Sequence, residues 1–296
     1  MKQLVNRLKL RSVHTEKLAI ARFLLAFGMA LTLLSNDMSV VANHNYTSLP
    51  NYRAKHNNAP AILKKVNVFE QMPPAAAKTV IILALVLVMT GLLPQVTGVL
   101  HVWACFCVYN YFVILNGGEN VAFVLSVLLV PICLTDPRLN QWRKKEVPPG
   151  KANIIAGIAY FALQVQAAAL YLEAGVVKLY IPEWREGTAL YYYTSHYRLG
   201  APDWLKSINE LITLSPLVVV LSWGIIIFEL LLFGCILASA RIKRVFLVLG
   251  LLFHFAIIIN FGLITFFFSM AALLILYLDD EGRSVKLLRK ATGRTS

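Results

Sequence analysis

Residues 79–115 read TVIILALVLVMTGLLPQVTGVLHVWACFCVYNYFVIL. No Asp, Glu, Lys or Arg interrupts these 37 residues. One straight helix of that length would be on the order of 55 Å long, against a bilayer hydrocarbon core of about 30 Å. Pro94-Gln95 is the natural break. The stretch therefore reads as two membrane helices, Thr79–Leu93 and Val96–Leu115.

The rest of the chain fits the same class. Hydrophobic residues make up 58% of the 296 positions and charged residues 15%, where a soluble domain carries about 45–50% and about 25%. The expected fold is all-α: a polytopic bundle of about eight crossings filling residues 18–278, with no stretch polar and long enough for a second domain. The net charge of +13 does not point to nucleic acid. The basic residues lie between apolar runs, as the positive-inside rule and anionic headgroups require. Cys105, Cys107, Cys133 and Cys235 all sit within apolar segments, which suits core packing better than a disulfide framework or a metal site. No metal site is expected.

Five basic residues before the first apolar run, Leu18–Leu34, put residues 1–17 in the cytoplasm. Arg22 is expected to snorkel to that side. Residues 36–78 then lie outside, although they too carry five basic residues. Asn116-Gly-Gly-Glu-Asn120 reads as an outer turn, Val121–Leu134 returns inward, and the basic loop Thr135–Lys151 is cytoplasmic. Ala152–Tyr180 runs outward. Residues 181–211 carry Trp184, Tyr191, Tyr192, Tyr193, Tyr197 and Trp204, which favour an interface, and read as short helices on the outer surface. Ile212–Ala240 returns, and residues 245–278 cross twice with a break near Asn260-Phe-Gly262. The basic tail, 279–296, is cytoplasmic.

Ionisable groups inside a bilayer cost on the order of 3 kcal/mol each at a helix centre and usually face a protein interior or a cavity. Lys178 lies roughly 39 Å along its helix from Ala152, which puts it at the outer edge. It is either a snorkelling interfacial lysine or a desolvated general base or nucleophile. Glu173 is turned about 140° from it. Gln164, Tyr171 and Lys178 share one face and Gln166 and Glu173 another, so the helix is expected to be surrounded by protein. Glu229 and His254 are expected in the inner half, either as one buried hydrogen-bonded pair or as a proton pathway. His101 lies at similar depth. Glu119, in the outer turn, either approaches Lys178 or is simply solvated. There is no phosphate-binding glycine loop, nucleophile elbow or metal-spaced His/Cys set.

Ala174-Gly-Val-Val-Lys-Leu179 followed by Trp184-Arg-Glu-Gly187 resembles the motif of the horizontally transferred transmembrane (HTTM) domain, shared with vitamin K-dependent γ-carboxylases. Phe253-His254 and the Gly262–Tyr277 segment resemble that family's later His-containing helix pair. Asn116-Gly-Gly-Glu-Asn-Val-Ala and Cys-Leu-Thr-Asp-Pro137 look most like the branch of sporulation-delaying protein B (SdpB). The resemblance covers roughly Arg11–Leu278. It implies a bacterial plasma-membrane factor that works with a small accessory protein to mature a secreted antimicrobial peptide. In the carboxylase branch the lysine matching Lys178 is the base at a vitamin K site, so a membrane quinone is an implied cofactor. The carboxylases' large propeptide-binding domain has no counterpart here, and carboxylation is not expected.

The resulting expectation is catalysis at Lys178, tuned by Glu173 and Glu119. Glu229, His254 and His101 would act as relays or structural groups, and Trp184, Tyr191, Tyr192 and Tyr193 would face the peptide. The alternatives are a non-enzymatic peptide-export partner and a transporter or immunity protein.

Overall fold

The computed structural model describes residues 12–38, 61–112, 117–143, 148, 150–196 and 200–280, with the side chains of 61–63 excepted. The Asn45-Tyr46-Thr47 sequon, Asn116, Tyr197, most of the basic N-terminus and most of the basic tail lie outside them. Twelve α-helices are described: α1 Glu16–Ser35, α2 Ala61–Val66, α3 Pro74–Met89, α4 Pro94–Tyr111, α5 Gly117–Leu134, α6 Lys151–Tyr180, α7 Pro182–Arg185, α8 Ala189–Thr194, α9 Asp203–Thr213, α10 Leu217–Gly234, α11 Ala240–Phe261 and α12 Ile264–Leu278. The all-α class is as expected, and each of the eight apolar segments carries a long helix. Five are long and apolar enough to cross a membrane: α1, α5, α6, α10 with the short 3-10 turn after it, and α11; α3 and α12 are shorter apolar helices.

The breaks fall where backbone chemistry puts them. Pro94 is the first residue of α4, a position whose N–H needs no helical partner. Between α3 and α4, Gly91 adopts φ 67°, which glycine enters without a Cβ clash. Gly262, at φ 66°, caps α11.

The described residues divide into two compact units, one made of those up to Leu163 with Phe268–Leu273, the other of Gln164–Phe267 with residues 274–280. In the first, α4 packs on α5 and α3, and α1 packs on α3 and α5. Leu25 and Leu33 of α1, Ile81 and Leu85 of α3, Val108 of α4 and Ile132 of α5 are fully buried. Gly98 of α4 lets α5 come close: a Cβ there would lie 2.5 Å from Cys133 Cβ. Gly98→Ala is therefore expected to force the two helices apart and cost about 1–3 kcal/mol, read as a lower thermal unfolding midpoint in detergent. Cys133→Gly should restore part of the loss. All four cysteines are buried and free.

The same unit holds a polar core that sequence reading assigned differently. Arg22 does not snorkel. It is 1% exposed and donates to Gln141 Oε1 at 2.6 Å and Thr97 Oγ1 at 3.0 Å. Arg138, counted with the cytoplasmic cations, is also buried and grips Asp136 through Nε at 2.8 Å and Nη2 at 2.7 Å. Gln141 Nε2 donates to the same carboxylate at 3.0 Å. The loop after α5 also bonds to the α3–α4 turn, Leu93 N to Leu139 O at 2.8 Å and Gln141 N to Gly91 O at 2.9 Å. The two connections thus sit at one end of this helix group.

In the second unit, α8 packs on α9 and α10, and α7 packs on α10. Residues 181–196 form short helices as expected, but they run alongside α10: a Cβ at Gly187 would lie 2.8 Å from Val219 Cγ1. Tyr277 shares its hydroxyl proton between the carbonyls of Leu232 and Phe233, both at 3.0 Å, which ties α12 to the end of α10.

Candidate functional site

Lys178 lies near the end of α6 and Glu229 on α10, 51 residues apart in sequence. Lysine Nζ donates to Glu229 Oε1 at 2.8 Å, to Oε2 at 2.6 Å and to Ala174 O at 3.1 Å. All three ammonium protons are thereby used. The side chains are 18% and 8% exposed, so this is a buried pair. Gly175 makes the approach possible, because a Cβ there would lie 2.9 Å from Leu230 Cδ2 on α10. The Trp184 ring lies under the ammonium at 5.2 Å from Nζ to centroid, an electrostatic contact with the ring face. Trp184 is held in turn by Ala189 and Ile226, with Leu179, Ile181, Ile225 and Leu230 around them.

About two turns back along the same face of α6, Tyr171 Oη lies 3.1 Å from His254 Nε2 of α11. Both side chains are buried. The His254 ring stands edge-on to Phe266, 5.6 Å between centroids, and its Nδ1 has no hydrogen-bond partner among the described residues. Tyr171 also lies within electrostatic range of Glu229. Tyr171, Lys178, Glu229 and His254 thus form one polar patch inside an otherwise apolar packing.

Several expectations need correction. Glu229 and His254 do not pair with each other; Glu229 takes Lys178 and His254 takes Tyr171. Lys178 is not at a layer different from Glu229. Glu229 is 12 residues, about 18 Å, into α10 from Leu217, near the middle of the apolar stretch Leu217–Leu237. Counting each residue from the start of its own helix placed the two at different depths, whereas their contact puts them at one.

Glu119 lies in the other unit, in the first turn of α5, and accepts from Thr32 Oγ1 at 2.8 Å. Glu173 and Gln166 are exposed, so only the Gln164, Tyr171 and Lys178 stripe faces the packing and α6 is not enclosed on all sides. His101 is buried in the first unit beside Arg22, with no hydrogen-bond partner for Nε2 among the described residues. Trp184 is buried and faces Lys178 rather than a surface. Tyr191, Tyr192 and Tyr193 are 40%, 58% and 49% exposed.

Sequence reading missed the Tyr171 to His254 bond, although the seven-residue spacing from Tyr171 to Lys178 carried half the signal. It also passed over Asp136 and its two partners, because a loop has no periodicity to mark a buried group.

A bundle of apolar helices enclosing a buried lysine–glutamate pair defines a polytopic membrane protein. The chain belongs to the HTTM-domain family, whose model matches residues 10–281, and within it to the SdpB-like group. It is 32% identical to the uncharacterized protein YitO of Bacillus subtilis over 97% of this chain and 92% of that protein. It is also 32% identical to the sporulation-delaying protein SdpB of Bacillus subtilis, over 91% of this chain and 83% of that one. No solved structure matches it.

Proposed function

We propose that this protein is a plasma-membrane factor for maturing a secreted antimicrobial peptide, N-terminus and C-terminus inside, and that the Lys178–Glu229 pair is its proton-transfer centre. The observation that carries the reading is the buried contact itself. The likeness to the sporulation-delaying protein SdpB supports a role in producing a sporulation-delaying toxin; the secreted peptide and a small accessory protein as partner are part of the proposal. When Glu229 accepts one Nζ proton, both groups become neutral and the amine lone pair is free to act as base or nucleophile toward a peptide group. Tyr171 and His254 hold α6 and α11 so that this geometry persists. No step in this reading uses a quinone.

The saturation of Lys178 by Glu229 favours a second reading, in which the pair is structural and the protein is a peptide-binding export partner. Mass spectrometry of the secreted peptide separates the two. Cells carry wild-type protein or the charge-free pair Lys178→Met with Glu229→Leu, matched for membrane level. Loss of the mature mass by about 100-fold or more is the expected result for a proton-transfer centre. Unchanged mature peptide leaves the export-partner reading.

A further inference from the structure

Beside the lysine, residues 181–196 enclose a half-open cleft of about 380 Å³ lined by Ile181, Glu183, Tyr192, Tyr193 and His196. Its lining is mainly apolar and aromatic, with one carboxylate. Glu183 is exposed and holds no ion pair among the described residues. Tyr193 packs against Trp184 at 5.7 Å between centroids, and Trp184 in turn lies under Lys178. Trp184 thus connects the Tyr193 wall of the cleft to the buried pair.

We propose that this cleft is a peptide subsite that takes a basic side chain, a lysine or arginine of the peptide, between Tyr192 and Tyr193 with its cation at Glu183. Four of the five lining residues have a reason in this reading. A carboxylate with no ion-pair partner among the described residues is available to a cation, the faces of two exposed tyrosines attract the same charge, and Ile181 receives the aliphatic stem. An acidic side chain finds only repulsion from Glu183. A peptide seated this way lies against Tyr193, whose ring packs on Trp184, the residue that covers Lys178. The inference rests on the maturation reading and names the substrate feature that reading leaves open.

The test uses the full chain in lipid nanodiscs and three synthetic peptides, acetyl-Phe-Lys-Phe-amide and its norleucine and glutamate counterparts, followed by intrinsic tryptophan fluorescence. The lysine peptide is expected to bind at least about tenfold more tightly than the norleucine peptide, and the glutamate peptide least. Glu183→Gln should remove the preference, and Tyr193→Phe should keep it. Equal binding of lysine and norleucine peptides, or a preference untouched by Glu183→Gln, overturns the proposal. A preference seen in phosphatidylcholine but abolished by phosphatidylethanolamine assigns the cleft to a headgroup amine and overturns it as well. The charge-free Lys178→Met, Glu229→Leu pair should still bind the lysine peptide. If that variant also matures the peptide normally, the proton-transfer reading fails while the cleft stands. If wild-type protein shows no lysine preference yet the pair variant loses maturation, the cleft fails alone.

Discussion

Glu229→Ala is expected to cost about 3–5 kcal/mol of stability, because it leaves the Lys178 ammonium without its carboxylate in the middle of an apolar packing. Ala174 O and the Trp184 face are the contacts that stay, and neither carries a full negative charge. The measurement is the thermal unfolding midpoint of the detergent-solubilised protein, read together with its level in the membrane. Lys178→Met combined with Glu229→Leu should recover most of the loss, since two apolar side chains of similar volume avoid the desolvation that the ion pair must offset. A single variant as stable as wild type would mean that the pair is not held in contact. A double variant no better than the single would mean that packing, not charge, holds α6 to α10.

Asp136→Ala should have an effect of the same size, about 3–5 kcal/mol, in the other unit. It strips Arg138 of a carboxylate reached by two guanidinium nitrogens, at side-chain exposures of 2% and 0%, and takes the Gln141 amide's acceptor with it. Gln141 also receives Arg22, so the loss spreads from the loop to α1. The pH dependence follows from the same contacts. Burial opposes the Asp136 charge, but the Arg138 hydrogen bonds and charge and the Gln141 amide outweigh it and hold the pKa below the usual carboxylate value of 3.8. A depressed folded pKa stabilises the fold above that value, and the contribution fades as pH falls through the lower, folded one. The wild type should therefore lose stability below about pH 4 by an increment that Asp136→Ala lacks. Unfolding midpoints from pH 3 to pH 7 on both proteins test this, and parallel curves would refute it.

Much of the helical layout could be read from the residues in order. Apolar runs bounded by Pro94 and Gly262 each became a helix, because backbone groups in a low-dielectric layer must bond within their own segment; Gly117–Asn120, expected as part of an outer turn, is instead the first turn of α5. The aromatic stretch after Tyr180 was legible as short helices, but not its course beside α10. That course depends on Gly187 meeting Val219, a contact between positions whose spacing carries no pattern. The site was legible as a set of residue types. Lys178, Glu229 and His254 stand out because charge inside an apolar run is costly.

What the sequence by itself determined was the class of molecule, the positions of its long helices and the short list of groups that need a partner. Those follow from local composition and from the 3.6-residue period, which also showed that Glu173 and Lys178 point in different directions. Which partner each group takes was decided only by tertiary packing. Lys178 reaches Glu229 across 51 residues, and Tyr171 reaches His254 across 83. A helix specifies which side chains share its face but not which neighbouring helix that face meets. Small residues such as Gly175 and Gly98 permit close approach, and only the folded chain shows what lies opposite them.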